Sequence, residues 1–400
     1  MKKTLLAVTG ATLVLWAGAA AAQDRSGANQ AIQNGVGTHG GNADDTLKYN
    51  LAVDDFNGGK LADATGELKE YLKDVPGDAA AHRLLASIYL KQNRVADAIP
   101  QMEAVVKLDA KDQDTRDNLG IAYLQAKQYD KALPFYKAAY ARKPKDADAA
   151  YYYGLALAQA GQAEAAVPVL QQSIALHPAA SAYAQLGNAL NQAGKTADAA
   201  AAFQSGAALD PKDAQLVLYA GLLHHASGDD AAAIPELKKA LALGTDNAFG
   251  VRMALAEAYN KAKQPADAIS EYKLAAQAKP TDFMAAVNLA ISEDNAGRKA
   301  DAQADYRKAV ALPGADIKAL AAARSNLGLL LLGDGKTDEA VGLLMQAAQG
   351  DAANAHFQNN LGIAYEKQGK PDLAVAAYKK AVDLDPNFAD AKTALARLSK

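Results

Sequence analysis

Adjacent His224 and His225 are the residues that most invite a search for metal or acid–base chemistry. On a helix, successive side chains point to different sides, so this pair cannot easily share one metal ion. The other histidines, His39, His82, His177 and His356, are scattered. The chain contains no H-E-x-x-H pair, no G-x-x-x-x-G-K-[ST] phosphate loop and no G-x-S-x-G nucleophile elbow. Aspartates and glutamates are numerous but fall where helix caps and solvated faces are expected, and no paired-carboxylate site stands out. Catalytic residues, metal ligands and cofactors are therefore all expected to be absent. Two other residue groups carry recognition chemistry. Tyr151, Tyr152 and Tyr219 offer large contact area with a hydroxyl handle. Asn50, Asn118, Asn288, Asn326 and Asn360 share one local context, immediately before a large or apolar residue. Asparagine is a mediocre helix former, so its recurrence in one column is informative, and a carboxamide matches the donors and acceptors of an extended peptide backbone.

The elements that position these residues come from one repeated pattern. A large apolar residue followed by a small one recurs at Leu51-Ala52, Leu85-Ala86, Leu119-Gly120, Tyr153-Gly154, Leu186-Gly187, Ala220-Gly221, Leu255-Ala256, Leu289-Ala290, Leu327-Gly328, Leu361-Gly362 and Leu395-Ala396. The spacing is 33 to 35 residues except for one interval of 38 around Pro313-Gly314. Thirteen residues after the large residue stands alanine every time: Ala64, Ala98, Ala132, Ala166, Ala199, Ala233, Ala268, Ala302, Ala340 and Ala374. Two columns of small residues imply two closely crossing helices per repeat, which gives a reason for helix-interior glycines that otherwise cost about 1 kcal/mol each relative to alanine.

The punctuation agrees. Gly59, Gly161, Gly194, Gly228, Gly297, Gly335 and Gly369 fall eight residues after the large residue and suit the left-handed end of a first helix. Pro265 and Pro371 suit the first turn of a second helix. Asp78, Asp112, Asp146, Asp213 and Asp282 are placed as N-caps of the next first helix, while Pro76, Pro144, Pro178, Pro211, Pro280 and Pro386 end second helices. The four extra residues near Pro313 amount to about one helical turn and predict an elongated first helix from Asp316.

The ends differ from the array. Lys2 and Lys3, the uncharged run from Thr4 to Ala17, and Ala20-Ala21-Ala22 read as a secretory signal peptide over residues 1–22. Its loss removes the single tryptophan, Trp16, and takes the formal net charge from −3 to −5. Residues 23–44 are rich in Gly, Asn and Gln and read as a flexible linker. Repeats occupy 45–388, and residues 389–400 repeat the first-helix pattern as a capping helix. The chain has no cysteine, which argues against lipid attachment at the cleavage site and against disulfides. No later apolar run would span a bilayer. Charges of both signs are interspersed, without the basic stripe that nucleic acid attracts.

These motifs resemble the tetratricopeptide repeat. Leu119-Gly120-Ile121-Ala122-Tyr123 with Ala132, Tyr136, Ala139 and Pro144 carries the likeness, as does Leu361-Gly362-Ile363-Ala364-Tyr365 with Ala374, Tyr378, Ala381 and Pro386. Asp55 and Glu293 stand where the pattern has an aromatic residue, in the first and eighth repeats. The resemblance implies an all-α, right-handed superhelical solenoid of antiparallel helix pairs whose first helices line a concave groove. On that face it would place Tyr151, Tyr152 and Leu155 in the fourth repeat, and Leu218, Tyr219, Leu222 and His225 in the sixth. Asn118, Asn288, Asn326 and Asn360 would form part of a ladder for peptide main chain, similar to one known in this family. Here it is interrupted by Leu84, Tyr152, Gln185, Tyr219 and Ala254. Each group has a second reading: tyrosines packed between repeats as core, and asparagines bonded to a neighbouring helix or water.

The sequence thus predicts a periplasmic or secreted scaffold that binds protein or extended peptide in its groove and is not an enzyme. The alternative is a cell-envelope accessory factor in polysaccharide or pilus export or assembly, with a secretion component or glycan as ligand.

Overall fold

The computed structural model describes residues 42–398. The signal peptide and nearly all of the linker lie outside the described residues. Among the described residues regular structure is helical throughout, and they fall into two compact units divided after Ala193. The first unit contains α1 (Ala43–Asn57), α2 (Leu61–Asp74), α3 (Ala79–Lys91), α4 (Val95–Leu108) and α5 (Gln113–Gln125). It continues with α6 (Tyr129–Arg142), α7 (Ala147–Gln159), α8 (Ala163–Leu176) and α9 (Ala180–Gln192). The second unit begins with α10 (Thr196–Leu209), α11 (Ala214–Ser227), α12 (Asp230–Leu243), α13 (Ala248–Lys261), α14 (Pro265–Ala278) and α15 (Phe283–Asn295). It ends with α16 (Lys299–Val310), α17 (Ile317–Gly333), α18 (Thr337–Gly350), α19 (Ala355–Lys367), α20 (Pro371–Leu384) and α21 (Ala389–Leu398). Within each unit consecutive helices pack against one another. Among the described residues no helix is long and apolar enough to cross a membrane.

Local rules set these boundaries. The side chains of Asp78, Asp112, Asp146, Asp213, Asp282 and Asp316 accept backbone N–H bonds from the first turns of α3, α5, α7, α11, α15 and α17. Asn42 caps α1 in a reciprocal box with Asp45, so residues 43 and 44, assigned to the linker by composition, already form its first turn. Pro265 and Pro371 open α14 and α20.

The link between the two helices of a repeat turns on a single left-handed residue. All seven glycines expected there have φ between +74° and +91°. Asn93, Lys127 and Lys263 occupy the same column in the second, third and seventh repeats with φ of 57–58°, a conformation that costs a residue with a Cβ about 1 kcal/mol or more. The geometry of the link, not the glycine, is therefore the constant.

Packing explains the two small-residue columns. All ten alanines of the second column are fully buried, at 0% exposure. In the first column, a Cβ added at Gly154 would come within 2.6 Å of Leu170 Cγ on α8, and one at Gly362 within 2.6 Å of Tyr378 on α20. Those contacts are closer than real Cβ atoms make, so a side chain of the second helix packs directly on the bare backbone of the first. The large residues of the column, including Leu85, Leu119, Leu255 and Leu327, are at most 1% exposed. Leu51 is 48% exposed, because no helix of the described chain precedes α1.

Two departures from regularity stand out. The 17-residue α17 carries the insertion as an extra N-terminal stretch beginning after Asp316. Pro100, Pro134, Pro168 and Pro235 each stand at the sixth residue of a second helix, inside it. Each removes one N–H from the helical ladder, but all four are exposed, so the carbonyl left over one turn earlier can be solvated. At the far end, Ala391 and Ala394 of α21 join Ala374, Tyr378 and Ala381 in one apolar cluster, which covers α20.

Candidate functional site

Which expected contact residues reach solvent follows from their place on the first helices. In the first unit, Asn118 on α5 is exposed and makes no side-chain hydrogen bond among the described residues. One repeat on, Tyr152 on α7 is 43% exposed. Its ring stacks on Tyr136 of α6, with centroids 6.1 Å apart at 23°, and meets Tyr151 edge-on at 5.2 Å. Tyr151 is half-buried; burial raises its hydroxyl pKa, while the Gln185 and Ser181 side chains of α9 act the other way. Tyr136 is 8% exposed and its hydroxyl is buried without a partner. Burial pushes its pKa far above the ordinary tyrosine value. Leu155 corrects the expectation of a groove residue: at 3% exposure it is core, in the same apolar cluster as Leu124 and Tyr136.

The cluster is thus one accessible ring over a buried aromatic base, flanked by amides. From residue 149 to residue 194 the only charged side chain is Glu164. Asp117, next to Asn118, is paired with Arg142 at 3.0 Å. Such a face can offer ring stacking and neutral hydrogen bonds, and little net charge.

In the second unit, Tyr219 on α11 is half-buried against Phe203 of α10, at 5.2 Å between centroids, and Leu222 is half-buried beside it. Leu218 and His225, expected on the same face, are buried at 9% and 7% exposure. The asparagines toward the C-terminal end divide into two kinds. Asn326 on α17 donates to the Tyr306 hydroxyl at 3.1 Å, and Asn360 on α19 donates to Ser325 Oγ at 3.1 Å. Their amides bond to side chains of adjacent helices. Asn288 is half-buried and makes no side-chain hydrogen bond among the described residues. The structure therefore does not bring the four asparagines into one equivalent state.

A pairing between two columns is not evident from either column alone. In the third and sixth repeats the residue four after the large residue, on the first helix, meets the residue sixteen after it, on the second: the Tyr123 ring lies 5.8 Å from that of Phe135, and His224 bonds to Glu236. Most repeats fill the first of these positions with tyrosine or leucine, such as Tyr89, Tyr123, Leu157 and Leu331. Three fill both with Asp, Glu or His: Asp55 and Glu67, His224 and Glu236, Glu293 and Asp305. His224 Nδ1 lies 2.7 Å from Glu236 Oε2. Glu293 is 5% exposed, its Oε2 is buried without a hydrogen-bond partner, and its carboxyl contacts Asp305. Burial first, then Asp305 and Asp301, raise its pKa from 4.5 to about 7. Glu67 is raised for the same reasons, by burial and by Asp55 and Asp63. Reading the two columns together, rather than one at a time, exposes this pairing. Neighbouring His225 sits between Asp230 Oδ1, 2.5 Å from Nδ1, and Glu257 Oε2, 3.4 Å from Nε2. Among the described residues no group of three or more His, Cys, Asp or Glu could hold a metal ion.

Models of the tetratricopeptide repeat match residues 49–114 and 184–248, residues 123–190, and residues 355–388. Among solved structures, the chain is similar to the APC/C hetero-tetramer Cut9–Hcn1, with 13% identity and a TM-score of 0.41, covering 95% of this chain and 94% of that one. It is also similar to MamA from Desulfovibrio magneticus RS-1, with 23% identity and a TM-score of 0.38 over 41% of this chain and 94% of that one. The C-terminal part of a repeat protein from Cytophaga hutchinsonii aligns with 16% identity and a TM-score of 0.44, over 70% of this chain and 99% of that one. No curated protein matches the chain.

Proposed function

Because the chain belongs to the tetratricopeptide-repeat family, whose members are generally non-catalytic scaffolds for protein–protein interaction, we propose that it is an extracytoplasmic scaffold that holds a protein or extended peptide against its first helices. The observation that carries this reading is Tyr152, exposed at 43% over the buried Tyr136 ring and flanked one repeat away by the uncommitted amide of Asn118. A tyrosine held by packing on its own scaffold loses little rotamer freedom when a ligand covers it, so its contact area contributes to affinity at low entropic cost. The extracytoplasmic location rests on the signal-peptide pattern of residues 1–22.

Crosslinking in the native envelope, followed by mass spectrometry, identifies the partner. Purified partner is then titrated against wild type, Tyr152→Ala and Asn118→Ala. Loss of the tyrosine should weaken binding at least about tenfold, the scale of a hot-spot contact. Unchanged affinity in both variants would remove the assignment of this face.

A second reading is supported by the near-absence of charge between residues 149 and 194, which suits a neutral glycan as well as a neutral peptide stretch. The protein would then be an accessory factor in envelope polysaccharide or pilus assembly. Binding of purified neutral oligosaccharide that disappears in Tyr152→Ala would favour this reading over the first.

A further inference from the structure

We propose that the sixth to eighth repeats form an acid-tightened segment, in which protonated His225 ties the sixth repeat to the seventh and a proton on buried Glu293, beside Asp305, relieves the eighth. The geometry supplies two separate devices with the same sign, both inside the second unit.

The first is an inter-repeat clamp. His225 on α11 is 7% exposed and lies between Asp230 on α12 and Glu257 on α13. Protonated, the imidazole donates from both nitrogens and bridges two helices of one repeat to the first helix of the next. Neutral, it carries one N–H and leaves one carboxylate facing a ring lone pair. The other charge near it is Lys261 on α13, 3.8 Å from Asp230, which opposes protonation without cancelling the two carboxylates. His224, next in the chain, is engaged separately with Glu236.

The second device is a carboxyl pair inside one repeat. Glu293 on α15 occupies a site that other repeats fill with tyrosine or leucine, and its carboxyl faces Asp305 on α16. Asp301 on α16 adds negative charge, while Arg298 in the link and Lys308, 2.6 Å from Asp305, add positive charge. With a proton on Glu293, its carboxyl can donate to the Asp305 carboxylate. With none, two like charges share a site from which water is largely excluded, and Glu293 Oε2 has no other donor.

Both signs agree. The histidine's pKa is raised in the folded state by Glu257 and Asp230, so its contribution is present in acid and is lost as pH rises through the folded value. The glutamate's pKa is raised from 4.5 to about 7, so its ionisation penalty is absent in acid and grows across that interval. The segment should therefore loosen from mildly acidic to mildly alkaline conditions, while repeats without such pairs hold steady.

The test is amide hydrogen exchange on the full chain at about pH 5.5 and about pH 8.5, corrected for the intrinsic pH dependence of exchange, with α5 and α6 as internal reference. Protection in α15 and α16 should fall about tenfold or more relative to that reference, since each unit of pKa displacement is worth a factor of ten. Glu293→Gln should abolish the fall in α15 and α16, and His225→Gln should remove the acid-side gain in α11 to α13. If Glu293→Gln does not fold, Glu293→Leu, the residue type found at this position in the ninth repeat, should give the same flat response. Equal relative protection at both pH values in the wild type overturns the proposal. So does a fall in α15 and α16 that persists when Glu293 is neutral.

Discussion

Replacing Ala268 by leucine tests whether the alanine column marks a true limit on space. Ala268 is fully buried and belongs to the apolar cluster containing Val251, Leu255 and Tyr259 of α13. Three added carbons would contribute about 2.4 kcal/mol of burial if room existed for them. With Leu255 also fully buried against the same helix pair, α13 and α14 must separate to admit the larger side chain. Overpacking of that kind costs about 1–3 kcal/mol, and a net loss of about 2 kcal/mol is expected. The opposite change, Ala268→Gly, should cost a similar amount: about 1 kcal/mol of helix propensity and about 0.8 kcal/mol for the buried methyl. Ala266→Leu, on the exposed side of α14, should fall within about 0.5 kcal/mol of wild type. Urea unfolding followed by far-UV circular dichroism ranks the three. Because repeat arrays can unfold in parts, hydrogen exchange in α13 and α14 should accompany the melt. A neutral or stabilised Ala268→Leu would refute the reasoning, since it would mean that the column is alanine by composition and not by geometry.

The remaining predictions concern the links and the asparagines. Gly161→Ala should cost about 1 kcal/mol in the same melts; nothing lies within 4 Å of the added Cβ, so the loss would come from the left-handed backbone at φ +76°. Lys263→Gly at the equivalent link should be neutral or stabilising by about 0.5 kcal/mol, as relief of the left-handed strain outweighs the entropy of glycine. Asn326→Ala and Asn360→Ala should each lower stability by about 1 kcal/mol with no partner present, through loss of the bonds to Tyr306 and Ser325. Unchanged midpoints would show those bonds to be dispensable.

Much of the fold could be read from the sequence because it rests on local sterics repeated many times. A residue with no room beyond its Cβ is alanine in every repeat, and a helix start needs an acceptor such as Asp112 or Asp282 regardless of what lies elsewhere. The link conformation was legible at glycines and missed at Asn93, Lys127 and Lys263, because residue type was read where position carried the information. The contact face was less legible. Leu84 and Tyr152 occupy the same column, yet one is 5% exposed and the other 43%, since burial there depends on the surrounding side chains and not on the helical period. Leu155 and His225 were misplaced for the same reason. The paired ionisable residues require two columns, twelve residues apart, to be compared across repeats. No single-column periodicity shows that Glu293 and Asp305 belong together.

The constancy of the link between helices has a consequence for the gene. Equivalent positions such as Leu119 and Tyr153 lie one repeat apart and meet the same kind of neighbour on either side. Loss or duplication of one period between such positions rejoins matching surfaces, so the array can change length without a new core having to evolve. A titratable pair such as Glu293 with Asp305 lies wholly inside one period and would be copied as a cassette. An asparagine that bonds across the junction, as Asn360 does to Ser325, depends on which repeat its neighbour happens to be.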